Sequence, residues 1–408
     1  MSRIDDLIKQ YAPDGVEYKA LGDVGSFVRG NGLQKKDLLD DGVPAIHYGQ
    51  VHTVYGVWTT ATTSFVTPEF AAKLRRAEPG NLVIATTSED DDAVAKATAW
   101  LGDEPAAISG DAYIYSHSLE PKYVAYFFQS DRFQEQKKAG ITGTKVRRIS
   151  GASLSKIRIP VPPPEVQREI VRILDAFTEL EAELEAELEA RRAQYAHYRD
   201  ALLSFTESKR VQWLPMGEIG EFIRGRRFTK EDMVDDGIPS IHYGEIYTHY
   251  GVHASETFSH VREEIREALR FAQPGDVVIA GVGETVEDVA KAVAWLGDCE
   301  VAIHDDSFAY RSDADPTYIA YAMQTADFQA QKEKHVARGK VKRVGGANLG
   351  KIVIPVPSID EQRRIVGVLN TFEALVNDLS SGLPAEIEAR RAQYAYYRDR
   401  LLSFEEAA

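Results

Sequence analysis

Lysine and arginine are concentrated in two stretches of this chain. Residues 132–158 carry Arg132, Lys137, Lys138, Lys145, Arg147, Arg148, Lys156 and Arg158 against the single acid Glu135, a net of +7. Residues 328–351 carry Lys332, Lys334, Arg338, Lys340, Lys342, Arg343 and Lys351 against Glu333, a net of +6. Clusters of this kind supply the cations that a phosphate backbone requires. The formal net charge of the 408-residue chain is −15, which taken alone argues against a nucleic-acid partner. The average conceals a segregation: residues 165–192 hold nine acids against four arginines, a net of −5.

Patterns that would do covalent chemistry are weak. Gly345 to Lys351 (GGANLGK) has the outline of a phosphate-binding loop, but Ile352 stands where Ser or Thr is required, and the run precedes a β-rich segment instead of following one. Gly281-Val282-Gly283-Glu284-Thr285-Val286 lacks the third glycine of a dinucleotide fingerprint. A hydrolase built on Ser88 and Glu89, or on Asp90 and Asp91, is a distant reading, because the second half of the chain does not repeat those residues. The one cysteine, Cys299, excludes an intramolecular disulfide and any cysteine-based metal site, which agrees with a reducing compartment. His47 and His242 each precede Tyr-Gly at the end of a strand-like run. They read first as turn residues and second as contacts to a bound polyanion, and no spacing resembles a metal-ligand set.

The elements that must position these residues are written twice, 195 positions apart. Val16 to Gly25 (VEYKALGDVG) returns as Val211 to Gly220 (VQWLPMGEIG), Gly42 to Gly49 (GVPAIHYG) as Gly237 to Gly244 (GIPSIHYG), and Ala99 to Asp103 (AWLGD) as Ala294 to Asp298. A repeat this long means a whole domain used twice, each copy burying its own core. Within each copy the signals are mixed α/β. Short β-rich runs (Gly25 to Val28, Leu82 to Thr86, Ala112 to Tyr115, Ile157 to Val161) alternate with helical ones such as Pro121 to Lys138. Two loops match in position and differ in residues: 86–91 against 281–286, and 141–145 against 336–340. These are the natural places for recognition.

After each copy the apolar positions turn helical. Ile170, Leu174, Phe177, Leu184, Leu188, Tyr195, Tyr198 and Leu202 recur at steps of three, four or seven from Glu165 to about Ser204, roughly 60 Å of helix at 1.5 Å per residue. Ile365, Leu369, Phe372, Val376, Leu379, Leu383, Ile387, Tyr394, Tyr397 and Leu401 repeat the rhythm. Here the offset grows to 199, and the four extra residues near Ser380-Ser381-Gly382-Leu383-Pro384 predict a kink or break. The apolar seams predict that the second helix runs back antiparallel beside the first, a dumbbell with a pseudo-twofold. The expected divisions are 1–15, a helical segment completing a circular repeat; 16–161 and 208–356, the two α/β domains; and 162–207 and 357–408, the spacer helices.

The opening LIKQYAPDGVEYKALGDV, the run GVPAIHYGQVHTVYG, and the helix entries IRIPVPPPEVQREIVRILDAF and IVIPVPSIDEQRRIVGVLNTF, each followed by a long helix, resemble the specificity (S) subunits of type I restriction-modification systems, the HsdS family. The resemblance covers the whole chain. It implies two target-recognition domains that each read one half of a bipartite site on double-stranded DNA. It also implies helices that set the spacer and dock two methyltransferase (M) subunits, with restriction (R) subunits joining that core. Chemistry then belongs to the partners, with S-adenosylmethionine and ATP/Mg bound there and no cofactor or metal on this chain. No Asp/Asn-Pro-Pro-Tyr/Phe adenine-methylase signature is present.

On this reading His47, Tyr48, Ser88, Thr144, Lys145 and Arg147 in the first copy, and His242, Tyr243, Glu284, Thr285, Lys340 and Arg343 in the second, are candidates for base edges. Lys137, Lys138, Arg148, Lys332, Arg338 and Lys342 join Lys145, Arg147, Lys340 and Arg343 as candidates for phosphates. Gln167, Leu180, Leu184, Leu188, Tyr195, Tyr198, Gln362, Leu379, Tyr394 and Tyr397 are the expected spacer and partner-docking residues. The repeat LEAELEAELEA (Leu180 to Ala190) is both a core stripe and a spacing element. A cytoplasmic protein without a membrane partner is expected, and a stand-alone two-lobed DNA-binding scaffold is the alternative.

Overall fold

The structure, a computed structural model, describes residues 2–205, 211–377 and 382–407. Leu379, Ser380, Ser381 and most of the expected link at 206–211 lie outside the described residues. The chain divides into two compact units, Met1–Glu183 with Glu388–Ala408, and Leu184–Ile387. The borders fall inside helices, not at their ends. The physical reason is visible in unit 1, where Val166, Ile170, Val171 and Leu174 at the start of the long helix belong to the same apolar core as Leu82, Tyr123 and Phe127.

Unit 1 is built on a five-stranded sheet in the order Gly25–Arg29, Ala112–His117, Leu82–Ala85, Ala97–Trp100, Trp58–Thr59; the last pair is parallel and the others antiparallel. Leu82 to Ala85 and Ala97 to Trp100 are buried on both faces, which is why they read as unbroken apolar runs instead of alternating ones. Pro121–Gln129 covers one face with Tyr123, Val124, Tyr126, Phe127 and Phe128. A four-stranded sheet in the order Ser64–Val66, Val43–Ile46, Ala106–Ile108, Arg76–Ala77 is built from strands that alternate in sequence with those of the first, and Tyr18–Ala20 pairs with Arg158–Pro160.

Unit 2 repeats this list at the 195 offset: Gly220–Arg224, Ser307–Ser312, Val277–Ala280, Ala292–Trp295 and His253–Ala254 form its five-stranded sheet. Its second sheet gains Met233–Val234 as an edge strand, where unit 1 has only a bridge between Leu39 and Phe65.

The helix expected over 121–138 is two helices, Pro121–Gln129 and Asp131–Lys138. Ser130 divides them: its ψ of 151° is extended, its Oγ donates to Phe127 O (2.7 Å) and accepts from Phe133 N (3.3 Å). Thr325 does the same between Ala322 O (2.8 Å) and Phe328 N (3.3 Å). A hydroxyl that closes one helix and caps the next outcompetes continuation.

The long helix spans Pro164–Ser204. Its counterpart is interrupted, Ile359–Asn377 followed by Gly382–Leu401. Gly382 has φ +71°, and a Cβ there would stand 2.6 Å from Leu375 O, so the break uses a residue without one. In unit 1 Phe177 stacks on Tyr397 (centroids 5.5 Å) and Glu181 accepts from Arg391 (2.7 Å), so the C-terminal helix runs antiparallel along the first half of the long one. In unit 2 Tyr198 stacks on Phe372 (5.6 Å). The chain ends meet within unit 1: Val16 bridges Glu406, and Tyr18 Oη donates to Phe404 O (3.1 Å). Among the described residues no helix is long and apolar enough to cross a membrane.

Gln167 and Gln362 are not free to meet a partner. Each is buried at a helix entry, where Gln167 Oε1 accepts from Glu120 N (2.9 Å) and Nε2 donates to Pro162 O (2.7 Å), and Gln362 repeats both bonds with Asp315 N (2.8 Å) and Pro357 O (2.9 Å). The amide thus ties the strand exit, the long helix and the sheet-covering helix together. Gln167→Leu strands a buried N–H and a buried carbonyl and is expected to cost about 2–4 kcal/mol, read as a lowered urea midpoint at unchanged slope.

Candidate nucleic-acid interface

The two divergent loops of each unit meet in one small antiparallel sheet. In unit 1 the hairpin Ile141–Thr142 and Arg147–Ile149 pairs with Thr87–Ser88, with Arg147 opposite Ser88 and Arg148 opposite Thr87. In unit 2 the hairpin Ala337–Arg338 and Lys342–Arg343 pairs with Val282–Gly283, Arg343 opposite Val282 and Lys342 opposite Gly283. Segments more than 50 residues apart are therefore brought to one platform. Gly143 closes the first hairpin at φ +93°, where a Cβ would lie 2.2 Å from Val146 O. Thr144, Lys145 and Val146 at this tip are exposed, as are Gly339, Lys340 and Val341.

The basic residues sort into three kinds. Arg147, Arg343 and Arg338 are held by acids: Arg147 by Asp91 (2.9 Å) and by Gly143 O (2.6 Å), Arg343 by Asp306 (3.0 Å), Arg338 by Glu333 (2.6 Å). Lys138, Lys145, Arg148, Lys340 and Lys342 have no ion pair among the described residues, and all but the half-buried Lys342 are exposed. Lys137 and Lys332 are a correction to the sequence reading. Both are 1% exposed, and Lys137 Nζ donates to Asp92 O (2.7 Å) and Val94 O (2.9 Å), so neither reaches a phosphate. Adjacent lysines thus face opposite ways: the sequence shows charge, while burial is decided by carbonyls brought from about 45 residues away.

His47 and His242 cap. His47 Nδ1 accepts from Gly49 N (3.2 Å) at the start of Tyr48–Thr53, and His242 Nδ1 accepts from Gly244 N (3.2 Å). Burial, and beside it His304, pushes His242 down to about 4; burial also lowers His47, so both rings are neutral at pH 7 and accept as the geometry requires. Tyr48 and Tyr243 follow, half-buried, with Tyr48 N bonded to Ser109 Oγ (2.8 Å). A cleft of about 540 Å³ opens in unit 1 between Arg29, Lys35, His47, Tyr48 and Asp111. At the matched place in unit 2 Phe228 packs edge-on against His304 (5.1 Å), itself 4.6 Å from His242.

Ser88 is half-buried; Glu284 and Thr285 are exposed, and Thr285 Oγ1 donates to Asp288 (2.7 Å). Among the described residues His304, Asp305 and Asp306 have ligand atoms within 4.8 Å of one another, but His304 Nδ1 already accepts from Asp306 N (3.2 Å) and Asp306 holds Arg343.

One contact escaped the sequence. His52 Nε2 meets Thr87 O (2.9 Å), and at the matched position Tyr247 Oη donates to Val282 O, so the short helix after His-Tyr-Gly fixes an edge strand of the platform, Thr87–Ser88 or Val282–Gly283, in both units. The residue types that hold it differ, and only their shared register could have pointed to them. Of the expected docking residues, Leu184, Leu188 and Tyr195 are buried, Leu180 is half-buried, Tyr394 Oη donates to Gln129 (2.8 Å), and Tyr198 and Tyr397 remain about 40% exposed.

Residues 13–190 and 210–389 match the family model described as the type I restriction modification DNA specificity domain, so this chain belongs to that family. It is 35% identical over 270 residues to the EcoR124I/EcoR124II specificity subunit of Escherichia coli, an alignment covering 63% of this chain and 65% of that one. It is 32% identical over 273 residues to the specificity subunit S.HindORF215P of Haemophilus influenzae, covering 65% and 68%. The chain therefore spans about two thirds of the length of these relatives.

The fold is similar to a chain in a structure addressing complex assembly and conformational transition of the type I R-M system (TM-score 0.64, 15% identity, 96% and 97% covered). It is also similar to the S subunit of the M. genitalium type I system (TM-score 0.50, 14% identity, 95% and 96% covered).

The unpaired lysines at the hairpin tips should govern sensitivity to salt. Lys145→Met and Lys340→Met are each expected to lower the slope of log affinity against log salt for duplex DNA by about one unit, while Lys137→Met leaves it unchanged; titration at four salt concentrations reads this directly.

Proposed function

We propose that this chain is the DNA-specificity subunit of a type I restriction-modification complex, each unit reading one half of a bipartite duplex site. The observation that carries the reading is the platform: the same three-stranded sheet in both units, with unpaired lysines at its tip and different side chains along its edge. Phosphate contacts that set position fall to Lys138, Lys145, Arg148, Lys340 and Lys342, and base contacts to Ser88, Thr144, Arg147, Glu284, Thr285 and Arg343. The arginines held by acids are oriented before binding, which suits a planar donor at a guanine edge.

The half-exposed Tyr198 and Tyr397 suit docking of two methyltransferase subunits, with restriction subunits joining through them. S-adenosylmethionine, ATP and magnesium would be bound by those partners, in the cytoplasm, and this chain would itself be non-catalytic. Its negative helix surface suits a subunit that binds DNA tightly only when the partners enclose the duplex.

The test is to co-express the chain with a methyltransferase encoded beside it and map modified bases genome-wide. Two fixed half-sites separated by a gap of constant length are expected; a single contiguous motif, or modification that does not depend on the chain, refutes the proposal. The same map reads the spacer. Adding one Leu-Glu-Ala-Glu unit after Leu180 lengthens the helix by ~6 Å, comparable to one or two base-pair steps of about 3.4 Å. The gap should widen by that much, and an unchanged gap excludes a spacing role.

A further inference from the structure

Lys137 and Lys332 take no part in the contacts above, yet each sits under the loop that leads out of the platform. Lys137 Nζ donates to Asp92 O and Val94 O, and Lys332 Nζ to Val286 O (2.8 Å), Val289 O (2.9 Å) and, at 3.5 Å, Glu287 O, with Gln329 Oε1 beside it. Both loops end on an alanine in the left-handed region, Ala95 at φ +65° and Ala290 at φ +64°, a conformation that a non-glycine residue adopts only when its surroundings impose it. The next bond is also shared, Ala95 N to Ala85 O (2.9 Å) and Ala290 N to Ala280 O (2.8 Å).

Between these fixed points the residues change. Asp90-Asp91-Asp92-Ala93 in unit 1 stands where unit 2 has Thr285-Val286-Glu287-Asp288. The loop path is nonetheless kept: Asp90 Oδ1 accepts from Ala93 N (2.6 Å), and Thr285 Oγ1 accepts from Asp288 N (3.2 Å). An ammonium has three protons to donate and no acceptor. It bonds carbonyl oxygens, which every residue type carries, so it holds a path without asking anything of the side chains along it. Burial lowers both lysines to about 8 against the raising effect of Asp92, Asp90 and Asp91 on one and of Glu287, Asp288 and Glu333 on the other; Lys138 and Lys291 act in the lowering direction, and both groups stay charged at neutral pH.

We propose that Lys137 and Lys332 are positioning residues: each ammonium fixes one recognition loop through main-chain carbonyls alone, so that the loop's side chains specify different bases on an unchanged frame. The inference deepens the reading of the platform as a DNA reader and rests on it. It also explains why two loops with four successive differences keep one conformation.

The test uses the full chain with its co-expressed methyltransferase. Lys137→Met should speed amide exchange across residues 89–95 at least ~10-fold while Leu82–Ala85 stays protected. It should also weaken selection of the half-site read by unit 1 from a random duplex pool by ~10-fold or more, leave the other half-site untouched, and leave the salt slope unchanged. Lys332→Met should do the same at 284–290 and at the other half-site. A salt slope lower by about one unit with unaltered loop exchange would place the lysine at a phosphate and overturn the proposal. Equal loss at both half-sites would reduce it to general stability and overturn it too.

A second variant leaves the lysine in place: Thr285→Asp, Val286→Asp, Glu287→Asp and Asp288→Ala together, which gives unit 2 the loop of unit 1. It should melt within about 2 °C of the parent and select an altered half-site for unit 2 only; a variant that unfolds, or that selects the parent half-site, contradicts a frame independent of loop sequence. If the parent itself selects no sequence, the DNA-reading proposal fails, whereas the exchange result still decides whether the ammonium holds the loop.

Discussion

A buried hydroxyl, indole, amide or ammonium that ends on a main-chain atom is the interaction on which both units depend. Tyr115 Oη donates to Leu21 O (2.8 Å) and Tyr310 to Met216 O (2.9 Å); Tyr123 donates to Pro160 O (3.0 Å) and Tyr318 to Pro355 O (2.9 Å). Trp100 Nε1 reaches Glu104 O (2.9 Å) and Trp295 Nε1 reaches Cys299 O (2.7 Å). Gln136 brackets both main-chain atoms of Arg158 (2.9 and 3.0 Å) as Gln331 brackets Val353 (both 2.9 Å). The four tyrosine bonds satisfy buried hydroxyls that would otherwise cost about 1–3 kcal/mol each, and every bond of the set asks its target only for a backbone. Leu21 and Met216, or Arg158 and Val353, can therefore differ while the frame does not.

That division of labour explains how a chain with an acidic total can offer two cationic faces. The glutamates from 165 to 189 lie largely on the exposed side of one helix, and beside the platforms the acids Asp91, Asp306 and Glu333 hold arginines. What remains uncommitted at each tip is lysine. On the proposed reading, point charges on flexible stems suit phosphates and braced guanidinium groups suit base edges.

Much of this was legible in the sequence, for reasons that differ by element. Leu82 to Ala85 read as a strand because burial on both faces writes four apolar residues in a row, and the break near Gly382 was signalled by a glycine and a proline in one short insertion. The division at Ser130 was written in local cap chemistry but masked by aromatic residues on both sides of it. The fate of Lys137 was not written locally at all. Lys137 and Lys138 are the same residue type in the same helix, and only the carbonyls of a distant loop distinguish them. Gln167, expected at a docking position, recurs as Gln362 because it closes the helix entry. Repetition marks what the frame requires, and in this molecule frame and contact lie side by side.

The central claim is that the two units are interchangeable frames carrying different readers. It is tested most directly by a chain in which residues 211–356 are replaced by residues 16–161, so that both positions hold the first α/β domain. Duplexes selected by this chain with its methyltransferase should carry the same half-site twice at the parent's gap. Selection of the parent's two different half-sites, or of no site by a chain that folds, would contradict the account.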